Sequence, residues 1–365
     1  MADVLTCAPS PWRLSVAPML DWTDRHCRTF HRLLSKRARL YTEMLTTGAL
    51  IHGQMVRFLD YNDGEHPLAL QLGGSEPDDL AQCAKLAQRW GYDEVNLNCG
   101  CPSERVQRGA FGACLMTESA LVADCVKAML DATGGGEAMP ITVKHRIGID
   151  QVESYDFVRD FVGTVAQAGC RVFIVHARNA WLKGLSPKEN RDIPPLRYAF
   201  VHQLKRDFPH LTIVLNGGLR SNDDCAAQLA PGAALDGVTL DGVMVGRAAY
   251  HEPWMLAEWD ARFFGEPAGV LEREAVEAAM AEYAERETAR TAGWAHGEVK
   301  WPMVMRHVLG LYNGLPGARR WRQVWSDHRL KSRPASEVMK LARQARLQGQ
   351  ASFEAVRGLA AQRTD

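Results

Sequence analysis

The chain has 365 residues, 46% hydrophobic and 24% charged, which suits one large globular domain with a small appendage or two ordinary domains and excludes a disordered chain. Lys plus Arg equals Asp plus Glu at 43 each, so the global charge points to no polyanionic partner. Without an apolar leader or a run of about 18 uncharged apolar residues, neither a secretory signal nor a membrane span is expected, and the cytoplasm is the default compartment.

In chain order, eight short apolar or β-branched runs stand at residues 14–18, 39–43, 68–72, 94–98, 141–146, 172–176, 212–216 and 242–245. Helix-length segments separate them. One is 78–90, where Leu80, Cys83, Ala84, Ala87 and Trp90 share a face, whereas residues 131–139, with Gly134, Gly135 and Gly136, read as a loop. Eight strands alternating with helices predict an α/β fold, a (β/α)8 TIM barrel over residues 1–258. After Trp254 the strand signal ends. Segments 272–290, 301–312 and 336–347 carry helical spacing, which predicts a C-terminal all-helical domain over residues 259–350 and a tail over 351–365, frayed at 360–365.

Local charge is uneven: nine acidic residues against three Arg in 258–287, and nine Lys or Arg against Asp327 and Glu337 in 319–346. A basic face near the C-terminus follows. The nine cysteines are too sparse for a disulfide scaffold, and Cys99, Cys101 and Cys114 lack paired C-x₂-C spacing, so reduced thiols and no metal are expected.

Each run finishes in something chemical: Pro18-Met19, Glu43, Gln71, Asn98, Lys144-His145-Arg146, His176, Asn216-Gly217-Gly218 and Gly246-Arg247. In a barrel these ends share the face where active sites are built. Glycines after strands seven and eight, with Arg247, match the place where barrels bind phosphate. With no Walker-type lysine loop in the sequence, a mononucleotide cofactor or a phosphorylated substrate is implied. FMN fits the remaining residues best. Lys144 would stabilise the negative charge of a reduced flavin, Gln71 would bond its polar edge, and Pro18-Met19 would wall the ring. The alternatives are a paired core lysine for Lys144 and a satisfied strand-end histidine for His176.

The segment Asn96-Leu97-Asn98-Cys99-Gly100-Cys101-Pro102-Ser103 bears on the reaction. A thiol titrating near ~8.5 holds its proton at neutral pH. Cys101 is therefore a candidate general acid, which reduction of an activated carbon–carbon double bond needs once hydride has been delivered to one carbon and the other awaits a proton.

These motifs resemble the tRNA-dihydrouridine synthases. Ala17-Pro18-Met19, Gln71-Leu72-Gly73, Asn98 through Ser103, Val143-Lys144-His145-Arg146, His176-Ala177-Arg178, Asn216-Gly217-Gly218 and Gly246-Arg247 occur in that family's order over nearly the whole chain. The resemblance implies FMN held by Pro18, Met19, Leu20, Gln71, Lys144, His176, Asn216, Gly217, Gly218, Gly246 and Arg247. It also implies NADPH as reductant, hydride from flavin N5 to C6 of uridine, and Cys101 as proton donor to C5. The run Trp181 through Arg191, with Arg306-His307 and Pro316-Gly317-Ala318-Arg319, looks like the A-type subgroup, whose targets are uridines 20 and 20a of the tRNA D-loop. Two positions depart from the pattern: an aliphatic residue commonly stands at Cys99 and a basic one at Asn179. The first places a second thiol two residues from Cys101, on the same face if the chain stays extended; the second would weaken one RNA contact.

A tRNA uridine must leave its stack to reach a pocket, so an external grip is required. Asn98, Arg178, Lys183, Arg306, Arg319 and Arg320 are the candidate substrate contacts, with Arg322, Lys331, Arg333, Lys188 and Arg191 as reserves and Trp321, Trp325 or Tyr312 available to stack. No obligatory protein partner is evident. Two rivals are a small-molecule FMN reductase, which needs no basic appendage, and an RNA-binding protein on an inactive barrel, for which the mouth residues are surplus.

Overall fold

The computed structural model describes residues 9–103, 109–233, 235–294 and 297–361. Eight parallel strands form the barrel: β1 (Leu14–Val16), β2 (Leu40–Thr46), β3 (Leu68–Gly73), β4 (Glu94–Cys99), β5 (Ile141–Arg146), β6 (Val172–His176), β7 (Thr212–Asn216) and β8 (Gly242–Val245). They follow the order β1-β8-β7-β6-β5-β4-β3-β2. The ring closes between β1 and β2, where Val16 N–H donates to Arg39 C=O and Arg39 N–H to Leu14 C=O, both at 3.0 Å. All eight expected runs are strands.

Alternation along each strand sorts the side chains into two layers. Ala17, Tyr41, Ala69, Val172, Ile174, Val214 and Met244 fill the barrel, with Trp12 at its foot. The opposite faces join the helices in the larger core, where Pro77–Trp90 buries Leu80, Cys83, Ala84 and Ala87 as its spacing predicts. That helix stops at Gly91, whose φ of 83° suits a residue without a β-carbon.

Beyond the barrel lie the helices Arg273–Arg290, Trp301–Met305, Ala318–Trp325 and Ala335–Ala361. Three boundaries differ from the sequence reading. The helix Trp259–Phe264 is tied to the barrel side: Trp259 is fully buried with its indole N–H on Asn222, and Asp260 accepts from the backbone N–H groups of Lys36 and Arg37. The helix begun at Trp301 gives way to turns after Met305, and further on Gly310 passes against the His251 carbonyl, 2.6 Å from where a β-carbon would stand. The last helix runs through the 350/351 boundary, since residues 351–357 are mostly good helix formers, although that stretch is exposed.

The acidic and basic runs meet each other. Glu277, wholly buried on Arg273–Arg290, accepts from the indoles of Trp321 (2.7 Å) and Trp325 (3.0 Å) and pairs with Arg343 (2.8 Å). Arg346 pairs with Glu274 and lies over the Tyr312 ring. Trp321, Trp325 and Tyr312 are therefore core residues, not stacking platforms; their apolar area and Glu277's need for donors draw them inward. Among the described residues, no helix is long and apolar enough to cross a membrane, and no group of His, Cys, Asp and Glu could hold a metal.

Candidate active site

Strand register brings the chemical residues to one end of the barrel. Asn98 lies beside Lys144, Arg146 beside His176, and His176 beside Asn216, in adjacent parallel strands. After Cys99 the chain turns. The Asn98 carboxamide oxygen accepts the N–H groups of both Gly100 and Cys101 at 3.0 Å, and Cys101 C=O accepts from Ala113 N–H at 2.9 Å. This side-chain-capped turn ends the strand and carries the Cys101 thiol to the mouth, where it donates to the Ser103 hydroxyl at 3.5 Å.

The same turn separates the two thiols. Cys99 is fully buried on the outer face of β4, and burial pushes its thiol well above the ordinary range, with Cys125, Cys170 and Cys114 as its neighbours. The expectation that Cys99 and Cys101 share a face is corrected, because the strand ends between them. Asn179, the second departure, is engaged inside the protein. It is buried and donates to the Asp150 carbonyl at 2.6 Å, clamping the loop after β5 to the loop after β6.

The Lys144 side chain makes no hydrogen bond or ion pair among the described residues, so none of them pairs it as a core lysine. Burial, then repulsion from Arg146, pulls its ammonium down to about 7. Burial holds the His176 imidazole well below its usual range, with Arg146 and Lys144 adding repulsion, so the ring is neutral at pH 7. Arg146 itself, 3% exposed, donates to the carbonyls of Gly100 (3.2 Å), Asn179 (3.2 Å) and Asn190 (2.8 Å). It ties the cysteine turn to the β6 loop and was missed as a site residue. Its spacing of two from Lys144 on one strand was the available signal.

The remaining expected residues distribute as follows. Pro18 and Met19 form the partly buried β1 rim, with Met19 C=O accepting from Trp22 and Thr23, while Leu20 projects into solvent at 65% exposure. Gln71 is buried and exchanges bonds with Asn96 and Asn98. Asn216 donates to Met244 C=O at 2.8 Å. Gly217 and Gly218 have φ of 110° and 74°, and β-carbons there would stand 2.6 Å from the His176 ring and 2.4 Å from Leu196. Gly246 precedes the short helix Arg247–His251 and lies against Ala17 and Met19.

Loop residues complete the rim. Arg247 pairs with both Asp192 oxygens, at 2.7 and 3.2 Å, and its guanidinium holds that carboxyl below the ordinary carboxylate range. Arg178 is spent on the carbonyls of Asp192 and Pro194, whereas Lys183 is exposed. Asn190, wholly buried, knits the loop by bonding both backbone polar groups of Trp181 and the Leu185 carbonyl. Arg306 pairs with Asp24, the cap of the helix Arg25–Leu34, rather than reaching outward, although it remains 45% exposed. Arg319 and Arg320 are exposed and make no ion pair among the described residues.

The dihydrouridine synthase (Dus) family pattern matches residues 15–346 of this chain. The chain is 55% identical to the tRNA-dihydrouridine(20/20a) synthase of Vibrio parahaemolyticus over 328 residues, covering 90% of this chain and 94% of that protein. Against the tRNA-dihydrouridine(20/20a) synthase of Pseudomonas putida the figures are 57% over 322 residues, 88% and 90%. A solved 2-naphthoyl-CoA reductase in complex with 2-naphthoyl-CoA shares the fold at a TM-score of 0.51 and 10% identity, over 67% of this chain and about half (49%) of that one.

Proposed function

The chain belongs to the dihydrouridine synthase family, and from that membership we propose that it reduces the C5–C6 double bond of uridines 20 and 20a in the tRNA D-loop, with FMN as its flavin and NADPH as reductant. The observation that carries the reading is the mouth itself, where the Cys101 thiol, held out on an Asn98-capped turn, stands at the same barrel end as the Gly217-Gly218 turn and Lys144, which has no ion-pair partner among the described residues.

The residues present suit a phosphorylated flavin. Positive φ at Gly217 and Gly218 lets the backbone run close under His176 and Leu196, where any β-carbon would clash, and leaves backbone N–H groups for a phosphate. Arg247 and the neutral His176 ring add donors beside it. Lys144 would face the pyrimidine edge, Gln71 would bond it, and Pro18 and Met19 would wall the ring. When bound there, a flavin would supply hydride chemistry.

The chain's own part is the proton. Cys101 would give its thiol proton to C5, and Ser103 stands at 3.5 Å to stabilise the resulting thiolate. Asn98 keeps that thiol in place through two backbone bonds and would orient the base. For the RNA outside the pocket, Lys183 at the rim and the exposed Arg319, Arg320, Lys331 and Arg333 would contact phosphates.

The experiment is spectroscopic. Purified protein should be yellow, bleach with anaerobic NADPH, and recover its colour on adding unmodified tRNA as dihydrouridine forms. Cys101→Ala should bleach normally and form no dihydrouridine. Recovery with a small enone or orotate but not with tRNA would refute the substrate, and colourless protein unable to take up FMN would refute the flavin.

A further inference from the structure

Glu94 starts β4 at the foot of the barrel, wholly buried, while Asn98 and Cys101 stand at its mouth. A single file of side-chain hydrogen bonds joins them. The Glu94 carboxylate is paired with Arg39 at 3.2 Å and accepts from Trp12 Nε1 (2.7 Å), the Tyr41 hydroxyl (2.8 Å) and the Thr142 hydroxyl (2.6 Å). Thr142 Oγ1 accepts from Asn96 Nδ2 (2.7 Å), and Asn96 Oδ1 from Gln71 Nε2 (2.7 Å). Gln71 Oε1 accepts from Asn98 Nδ2 (2.9 Å), and Asn98 Oδ1 takes the Gly100 and Cys101 N–H groups. Glu94, Thr142, Asn96, Gln71 and Asn98 are each at most 9% exposed.

The order of donors along this file is dictated from its ends. A primary carboxamide turned by half a rotation keeps its shape and exchanges donor for acceptor, so only its partners decide which end points where. A carboxylate only accepts, which obliges Thr142 to donate downward and to accept from Asn96. Asn96 must then offer its oxygen to Gln71, and Gln71 its oxygen to Asn98. At the top, two backbone N–H groups require the Asn98 oxygen, the same answer. Reversing any one amide would set donor against donor in a buried place. Head-to-tail bonds of this kind also polarise one another.

We propose that Glu94, Arg39 and Thr142 are positioning residues that act from the barrel floor, setting the amide polarity of Gln71 and Asn98 and through it the seat of the Cys101 turn. Thr142 is the link at which the file can be cut without uncovering the Glu94–Arg39 pair. The catalytic consequence rests on the function proposed above; the structural one does not.

The test compares full-length, flavin-loaded wild type with Thr142→Val, which removes the hydroxyl and keeps the shape, and with Thr142→Ser, which restores it. The valine variant loses both the charge-assisted bond to Glu94 and the neutral bond from Asn96; the neutral bond is the one that reaches the amides, and its loss translates into roughly a twofold to tenfold effect at the Cys101 turn. Backbone hydrogen exchange in the peptide spanning residues 98–103 should quicken about fivefold in the valine variant and return in the serine variant. NADPH should reduce the flavin at the wild-type rate in both, while tRNA-dependent reoxidation slows about fivefold in the valine variant alone. Wild-type exchange in Thr142→Val, no rescue by serine, or equal slowing of both half-reactions would overturn the proposal. If the valine variant does not accumulate, Thr142→Ala makes the same cut. Wild type that tRNA fails to reoxidise would refute the proposed function and leave the exchange data to decide this one.

Discussion

Replacing Lys144 with methionine is expected to stabilise the flavin-free protein while ruining its hold on flavin. The side chain stands in the barrel mouth with no carboxylate beside it among the described residues, and its ammonium is pulled from 10.5 down to about 7, chiefly by burial and then by Arg146. Between those two values the unfolded chain binds a proton that the folded chain does not, so stability should rise with pH from about 7 to 10.5. Below pH 7 the folded protein carries the whole penalty. At about 1.4 kcal/mol per pH unit the penalty approaches ~5 kcal/mol. Methionine keeps most of the stem's packing, so a net gain of about 2–4 kcal/mol at pH 6 is expected. The assay is urea unfolding of flavin-stripped wild type and Lys144→Met at pH 6 and pH 10, with FMN affinity measured by fluorescence quenching. The variant should lead at pH 6, lose its lead by pH 10, and bind FMN at least about tenfold more weakly. A variant less stable than wild type at pH 6, or a difference independent of pH, would refute the reasoning.

Glu277→Ala leaves two buried indole N–H groups and the Arg343 guanidinium without their acceptor. A loss of about 3–5 kcal/mol in denaturant unfolding followed by tryptophan fluorescence is expected, with Glu277→Gln losing less. Gly218→Ala sets a β-carbon 2.4 Å from Leu196 at a φ of 74°, so FMN affinity should drop more than about tenfold in a flavin titration, with a fold cost of about 1–2 kcal/mol. Asp24→Ala removes the cap of Arg25–Leu34 together with its bonds to Arg306 and His307. It should cost about 2–3 kcal/mol and raise the KM for tRNA, measured at steady state, with NADPH oxidation unchanged. An unchanged KM would show that this contact between barrel and helices does not serve RNA docking.

Much of the barrel is legible along the chain because its signals are local. Runs such as 172–176 are short, β-branched and flanked by helix-length segments, and the period-two alternation that puts Lys144 and Arg146 on one face needs no tertiary information. The helical segment is less legible. Trp321 and Trp325 look like exposed aromatics among arginines until Glu277, 44 and 48 residues away, is seen to take both indoles. Likewise a run of nine basic residues reads as one face, but Arg343 and Arg346 turn inward to Glu277 and Glu274.

By itself, then, the sequence determined the eight-stranded plan, the end of the barrel where the chemistry gathers and the residue types gathered there, since each depends on neighbours a few positions apart. Only the tertiary structure decided which of those side chains are free to act. Whether Lys144 has a partner, whether Cys99 shares a face with Cys101, whether Arg178 and Arg306 reach outward, and how Glu94 at the floor connects to Asn98 at the mouth all depend on groups distant in the chain. A polar side chain is committed by whichever donor or acceptor the fold places within about 3 Å, and that distance is set by packing rather than by spacing.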